Sequence, residues 1–213
     1  MGIRTLTEAF YSFKNGCHIP CESLLERDFY LSLEFDKDVL SYKAQPVKVR
    51  KKGRKSPIFP DSLVTFTSHR PLLVEVKHTK DIEDRIKGPE IKEKAAICKE
   101  YAESQGWDFR IVTDKDVRCV RLENYNFLYK YTVPPALLPQ YQNEIILAVR
   151  ENGPMSITKV LEALSEDKME KARALRCLWH LVRMGSIVAD LDRPLTNSSI
   201  VEVSNGDAST RSR

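Results

Sequence analysis

The six residues Leu72-Leu73-Val74-Glu75-Val76-Lys77 constrain this chain more tightly than any other segment. The run follows Pro71, is rich in β-branched and apolar residues and reads as a strand. Side chains alternate faces along a strand, so Leu72, Val74 and Val76 share one face and Leu73, Glu75 and Lys77 the other. Glu75 and Lys77 therefore project side by side near the end of an otherwise apolar strand. A second strand, Leu63-Val64-Thr65-Phe66-Thr67, opens just after Pro60-Asp61 and can pair with the first as a hairpin. That pairing brings a carboxylate, a second carboxylate and a lysine to one point.

The neighbouring segments supply the rest of a domain. Residues 20–35 read as a helix: Ser23-Leu24-Leu25-Glu26 has capping-box form, and Leu25, Phe29 and Leu33 recur four apart as an apolar face. Residues 39–50 read as a strand, and a basic loop containing Gly53 follows. Residues 83–105 read as a long helix interrupted near Gly88-Pro89, with Ile86, Ala95, Cys98 and Ala102 inward, and Phe109-Arg110-Ile111-Val112-Thr113 is a further strand. Helix, three strands, helix, strand predicts an α/β domain with a mixed sheet, over residues 1–132.

Val133-Pro134-Pro135 and Pro139 mark a linker at 133–140. Beyond it, helical patterns at 141–151, from Ser156, and at 168–184 precede two short strands, Ile187-Val188-Ala189 and Ile200-Val201-Glu202-Val203. Three helices and a two-stranded wing predict a winged-helix domain at 141–203. Trp179 is expected in its core and His180 at its surface. Residues 204–213 are small and polar and read as a disordered tail.

Two carboxylates and a lysine suit phosphodiester hydrolysis. Mg²⁺ prefers oxygen ligands and keeps several waters, so two carboxylates and a substrate phosphate suffice. The ion polarises the phosphoryl oxygen and lowers the pKa of a bound water, while a lysine beside it positions that water or offsets charge developing on the phosphate. Glu26, on the 20–35 helix and three residues from Phe29, borders the core face and can turn toward the sheet as a third carboxylate. The plainer readings are an edge-of-strand ion pair for Glu75 and Lys77 and a helix-capping role for Glu26.

Charge adds one more candidate. With 34 Lys+Arg against 30 Asp+Glu the net charge is only +4, but Lys48, Arg50, Lys51, Lys52, Arg54 and Lys55 crowd one stretch. Such a cluster attracts DNA phosphates, and its alternative is a solvated hairpin tip. Five cysteines, an odd number, argue for free thiols, and Cys17-His18-Ile19-Pro20-Cys21 lacks a second pair at zinc-finger spacing. No apolar run reaches the ~20 residues of a membrane helix, and residues 1–5 lack a signal-peptide apolar region, so a cytoplasmic location without membrane contact is expected.

Residues 23–35 (SLLERDFYLSLEF), Gln45-Pro46, Pro60-Asp61-Ser62-Leu63-Val64, Val74-Glu75-Val76-Lys77 and Ile111-Val112-Thr113-Asp114-Lys115, in this order, resemble TnsA, the endonuclease subunit of heteromeric cut-and-paste transposases. The resemblance covers residues 20–130 most fully. It implies a restriction-endonuclease-like fold of the PD-(D/E)xK kind, with a mixed sheet flanked by helices and a C-terminal winged helix. Glu26, Asp61, Glu75 and Lys77 fall on the family's active-site positions, with Glu26, Asp61, Glu75 and the main-chain carbonyl of Val76 as ligands of one or two Mg²⁺ ions, for which Mn²⁺ substitutes. Ser62 stands where the family often has Phe, and little chain precedes the first catalytic helix, where larger relatives carry further elements. The resemblance also implies nicking of one strand at each 5′ transposon end in a prokaryotic nucleoid. The implied partners are double-stranded DNA, a TnsB-like DDE transposase and a TnsC-like AAA+ ATPase that meets the C-terminal domain.

Other readings use the same residues. One is a stand-alone nuclease for repair, restriction or phage DNA processing. Another is a non-catalytic winged-helix DNA-binding regulator, against which the full Glu26, Asp61, Glu75 and Lys77 set argues. Helix 168–184 offers Lys168, Lys171, Arg173, Arg176 and Arg183 to a groove, but Glu166, Asp167 and Glu170 crowd its start, where bases are usually contacted. Protein docking is the favoured role for that module, and the acidic start also suits the helix dipole.

Overall fold

In the computed structural model, residues 8–204 are described, and they belong to two compact units that divide between Leu122 and Glu123. The first unit opens with a hairpin that hydrophobic periodicity did not reveal, β1 (Glu8–Ser12) and β2 (Cys17–Cys21), antiparallel around Gly16 at φ 65°. Its anchor is polar. The buried carboxylate of Glu34 accepts from Ser12 Oγ at 2.7 Å and from Tyr42 OH at 2.6 Å. One acceptor thus joins the hairpin, the following helix and the first strand of the main sheet.

Helix α1 (Leu24–Phe35) starts at Ser23, whose side chain accepts from the Glu26 N–H, and it buries Leu25, Phe29, Tyr30, Leu31 and Leu33. The main sheet runs β3 (Val39–Ala44), β4 (Ser62–Phe66), β5 (Leu72–Lys77) and β6 (Asp108–Thr113) in that spatial order. The first two pairings are antiparallel and β5–β6 is parallel, so the sheet is mixed as expected. Parallel neighbours need a crossover, and α2 (Thr79–Glu83) and α3 (Lys87–Ser104) form it. Expected strand residues 45–50 leave the sheet after Ala44; only Val49 rejoins β structure, bridging Ile58.

Helices cover both faces. On one, Leu73 packs with Ile97, Cys98 and Ala102 of α3 and with Val49 and Ile58. On the other, Tyr30 of α1 stacks on Tyr42, ring centroids 5.2 Å apart. The helix expected over 83–105, with an interruption near Gly88-Pro89, is α3, which begins at Lys87 and runs through those two residues; the break lies earlier, between α2 and α3, where Ile86, expected inward, has 86% of its surface exposed. Two short helices that the sequence reading missed, α4 (Asp114–Val117) and α5 (Val120–Tyr129), follow β6, and the division between units falls within α5.

The second unit contains α6 (Leu138–Asn152), β7 (Met155–Ser156), α7 (Ile157–Leu164), α8 (Lys168–Met184), β8 (Ile187–Ala189) and β9 (Ile200–Val203). Its three strands pair antiparallel in the order β7-β9-β8. Residues 138–140, expected in the linker, already belong to α6. Trp179 is buried, with its ring edge-on to Phe127. His180 is buried as well, not at the surface, because Tyr131 O lies 2.7 Å from its Nδ1 and satisfies the ring. Asp167 accepts from the N–H groups of Met169 and Glu170, so the acidic start of α8 contains a helix cap. Buried Asn124 fixes the 190–199 loop: its amide donates to Leu191 O and Arg193 O at 2.8 Å and accepts from Leu195 N at 3.0 Å. The expected tail lies outside the described residues apart from Ser204. No helix among the described residues is long and apolar enough to cross a membrane.

Gly88 sets the close approach of α2 and α3: a Cβ there would lie 2.4 Å from the Ile82 carbonyl oxygen, a backbone atom with nowhere to go. Gly88→Ala should therefore destabilise the first unit by ~1–3 kcal/mol, read as a lower thermal midpoint. An unchanged midpoint would show that the two helices can separate at no cost.

Candidate active site

The site forms where β4 begins and β5 ends. The antiparallel register sets Ser62 opposite Val74, so Asp61, one residue outside β4, comes beside Glu75 and Lys77. Lys77 Nζ lies 2.9 Å from Glu75 Oε1 and 3.2 Å from Asp61 Oδ2, and it also donates to the Val76 carbonyl at 3.0 Å. Asp61 Oδ2 accepts a further bond from the Val76 N–H at 2.7 Å. The Asp61 carbonyl is held on the other side by Tyr30 OH at 3.0 Å and by the Gln45 N–H at 3.0 Å. The bulk of α1, the crossing backbone of β5 and the turn after β3 thus fix one aspartate together.

The carboxylates are mostly withdrawn from water, with side-chain exposures of 13% for Asp61 and 10% for Glu75. Burial raises both above their ordinary 3.8 and 4.5, and for Glu75 the neighbouring Asp61 charge adds to the rise. The Lys77 ammonium works against both rises. Burial disfavours the Lys77 charge, but Asp61 and Glu75 outweigh it and push that amine up to about 12. When both carboxylates are ionised, two anions and one cation give the cluster a net negative charge that attracts a cation.

Glu26 lies apart from this trio in its bonding. Its carboxylate accepts from the Glu22 N–H at 2.9 Å and from Ser23 Oγ at 3.0 Å, beside the helix cap in which Ser23 Oγ accepts from the Glu26 N–H at 3.1 Å. It is near enough that Asp61 still raises its pKa, after the larger effect of burial. The structure therefore brings Asp61, Glu75 and Lys77 together and leaves Glu26 beside them, engaged at the start of α1.

A divalent ion fits what the trio leaves open. Glu75 Oε2 is buried and has no hydrogen-bond partner. Asp61 uses Oδ2 for both of its side-chain bonds, which leaves Oδ1 clear, and the Val76 carbonyl, next in sequence to Glu75, accepts from Lys77 Nζ at 3.0 Å. Among the described residues no three His, Cys, Asp or Glu side chains gather closely enough to hold a metal by themselves. Two carboxylates and a carbonyl leave the remaining positions to water and phosphate, a division that suits Mg²⁺ better than a softer metal.

The basic stretch forms a turn around Gly53, at φ 86°, closed by the Val49–Ile58 bridge. Its six cations separate into two sets. Arg54 is paired with Glu93 at 2.8 Å and Glu90 at 4.0 Å, and Lys51 with Glu100 at 3.2 Å, all on α3. Lys48, Arg50, Lys52 and Lys55 are exposed, with Lys48 lying 5.8 Å above the Phe59 ring. Sequence reasoning gave no role to Tyr30, Gln45 or Asp114. Asp114 Oδ1 accepts from the Thr79 N–H at 2.6 Å and Oγ1 at 2.9 Å, and so anchors the chain just beyond Lys77. Parallel pairing of Lys77 with Thr113 was the signal that would have placed Asp114 there.

Two family models match the chain: one described as TnsA-like endonuclease N terminal over residues 36–114, and one described as TnsA endonuclease C terminal over residues 116–191. Asp61, Glu75 and Lys77 fall inside the first match and Glu26 precedes it. No curated protein matches the chain.

The raised carboxyls make a pH prediction for the metal-free chain. A group whose pKa is raised on folding adds stability below its unfolded value, and that stability is lost as pH rises through the folded value. Both carboxyls are raised from 3.8 and 4.5, so their contribution disappears on the alkaline side of those values, while Lys77, at about 12, stays charged throughout. Glu75→Gln should therefore gain thermal midpoint relative to the parent between about pH 4 and about pH 8. A midpoint difference that does not change with pH would contradict the burial cost assigned to Glu75.

Proposed function

We propose, from the premise that this chain belongs to the TnsA family of transposition endonucleases, that it cuts one DNA strand at each 5′ transposon end through Mg²⁺-dependent hydrolysis at Asp61, Glu75 and Lys77. The observation that carries this reading is the Lys77 ammonium set between the half-buried Asp61 and the buried Glu75, which keeps an unpartnered buried oxygen. Asp61, Glu75 and the Val76 carbonyl would hold the ion, and Mn²⁺ would suit the same donors. The chemistry that a divalent ion held there would supply is charge stabilisation at the scissile phosphoryl group and a lowered pKa for the attacking water.

The chain's own groups do the rest. Lys77 offsets part of the burial cost that raises both carboxyls, and its ammonium would reach the attacking water or the phosphate oxygen by exchanging one of its three contacts, to Glu75, Asp61 or the Val76 carbonyl. Asp61 is kept in place by the Val76 N–H, so its free oxygen stays in a fixed direction. Glu26 orients solvent at the edge of the site once it exchanges one of its two side-chain hydrogen bonds for water. Lys48, Arg50, Lys52 and Lys55 lie along the DNA backbone, whereas Lys51 and Arg54 hold their turn against α3.

The second unit supports a winged-helix reading, with helices α6, α7 and α8 followed by the β8–β9 pair. Its proposed role is to dock an AAA+ ATPase, while a DDE transposase bound to the same transposon ends cuts the opposite strands. The setting is the prokaryotic cytoplasm, on chromosomal or plasmid DNA.

The test is cleavage of labelled transposon-end DNA in Mg²⁺, with and without the transposase encoded beside this chain. Lys77→Ala should lower the rate by ~10²–10³-fold, and Asp61→Ala should abolish 5′-strand cleavage while the partner's 3′ cuts persist. Undiminished 5′ cleavage by Asp61→Ala would remove this site from the reaction. Cutting of unrelated duplexes by this chain alone would favour a stand-alone nuclease instead.

A further inference from the structure

One residue bordering the site holds a backbone conformation that its type disfavours. Gln45 has φ 43°, the single non-glycine residue at positive φ among the described residues. It also precedes Pro46, and a residue before proline is driven toward extended backbone. Such positions persist where their surroundings over-determine them, and the surroundings of Gln45 are specific. Its N–H donates to the Asp61 carbonyl at 3.0 Å, and its side-chain amide donates to Glu22 Oε1 at 2.6 Å. The Glu22 N–H in turn donates to Glu26 Oε2 at 2.9 Å. An unbroken series of hydrogen bonds thus runs from the main chain of Asp61, through Gln45 and Glu22, to the carboxylate of Glu26.

We propose that Gln45 is a positioning residue for divalent-cation binding: its left-handed backbone fixes the Asp61 main chain, and its amide holds the start of α1, with Glu26, against the site. The assignment rests on Asp61 and Glu75 as the metal-holding pair. Gln45 touches neither substrate nor ion and acts only through the residues it holds. The length of its side chain matters. Asparagine adopts the left-handed region more readily than glutamine but is one methylene shorter, so it keeps the turn and cannot span to Glu22. Glycine removes the conformational penalty and the tether together while keeping the N–H that Asp61 needs.

The experiment is a Mn²⁺ titration of the full chain followed by the paramagnetic resonance signal of the free ion, alongside metal-free thermal melts. Gln45→Asn is expected to melt at the parent temperature and to bind Mn²⁺ about tenfold more weakly, and Gln45→Gly to weaken binding in the same way. A role in folding alone would move the melt and leave the affinity untouched, and that result overturns the proposal. Should Gln45→Asn not fold, Gln45→Gly decides by the same criterion. Asp61→Ala separates the two levels of the argument. Loss of Mn²⁺ binding in Asp61→Ala with parental affinity in Gln45→Asn and Gln45→Gly removes Gln45 alone. Parental affinity in Asp61→Ala removes the metal-holding pair and the proposal with it.

Discussion

Two carboxylates can share a mostly dry corner of this protein only because an ammonium lies within 3.2 Å of both. Desolvation favours the neutral acids, and their mutual repulsion reinforces that preference. Lys77 reverses part of it, and in doing so its own proton is held more tightly than in water. Removing the lysine from such a group leaves uncompensated buried carboxylates, which costs far more than a surface pair is worth, whereas removing one carboxylate leaves a matched pair. The trio therefore behaves as one unit, and the rest of the first unit can be understood as what is needed to bring its members together and keep one carboxylate oxygen unsatisfied.

The sheet meets that need through strand direction. β4 enters the site at its first residue and β5 leaves it at its last, so an antiparallel pair delivers Asp61 and Lys77 to the same edge. The parallel partner β6 then brings Thr113 and Asp114 to that edge too, and Asp114 secures the chain where β5 turns into α2. Rigidity at the edge comes from main-chain atoms as much as side chains: the Val76 N–H, the Asp61 carbonyl and the Gln45 N–H each hold part of the aspartate. A site built on element ends supported by packed helices holds geometry better than one on a free loop.

How much of this was legible in the sequence follows from what each feature depends on. The Leu72–Lys77 strand announced itself because alternation is a local property, and the Pro60-Asp61 start of its partner did so for the same reason. The β1–β2 hairpin did not, because its anchor is the buried Glu34 network rather than a regular apolar pattern. Ile86 was misread because the apolar spacing continues through the break between α2 and α3, where Asp84 accepts from the Ile86 and Lys87 N–H groups instead. His180 looked like a surface residue because its partner is a main-chain carbonyl 49 residues away, which no composition records. At the site itself, the residue types that bear charge were visible, whereas those that hold them, Tyr30 through its hydroxyl and Gln45 through its backbone, were not.

The basic turn shows why counting charges misjudges a nucleic-acid surface. All six cations looked equivalent as a sequence cluster, yet Arg54 is largely covered and committed to Glu93 and Glu90, and Lys51 to Glu100. Such exposed acidic partners contribute little to stability on their own. Their effect is to orient the turn, together with Val49 and Ile58, whose side chains join the apolar cluster beneath α3. Because α3 also packs against Leu73 of β5, the turn is fixed to the same strand that carries Glu75 and Lys77. In the proposed function, a duplex contacting the exposed cations of that turn would therefore lie at a defined distance from the carboxylates. On that proposal, positioning of the DNA backbone and chemistry on it would depend on the same packed elements, with Arg54 serving geometry through its pairs with Glu93 and Glu90 of α3.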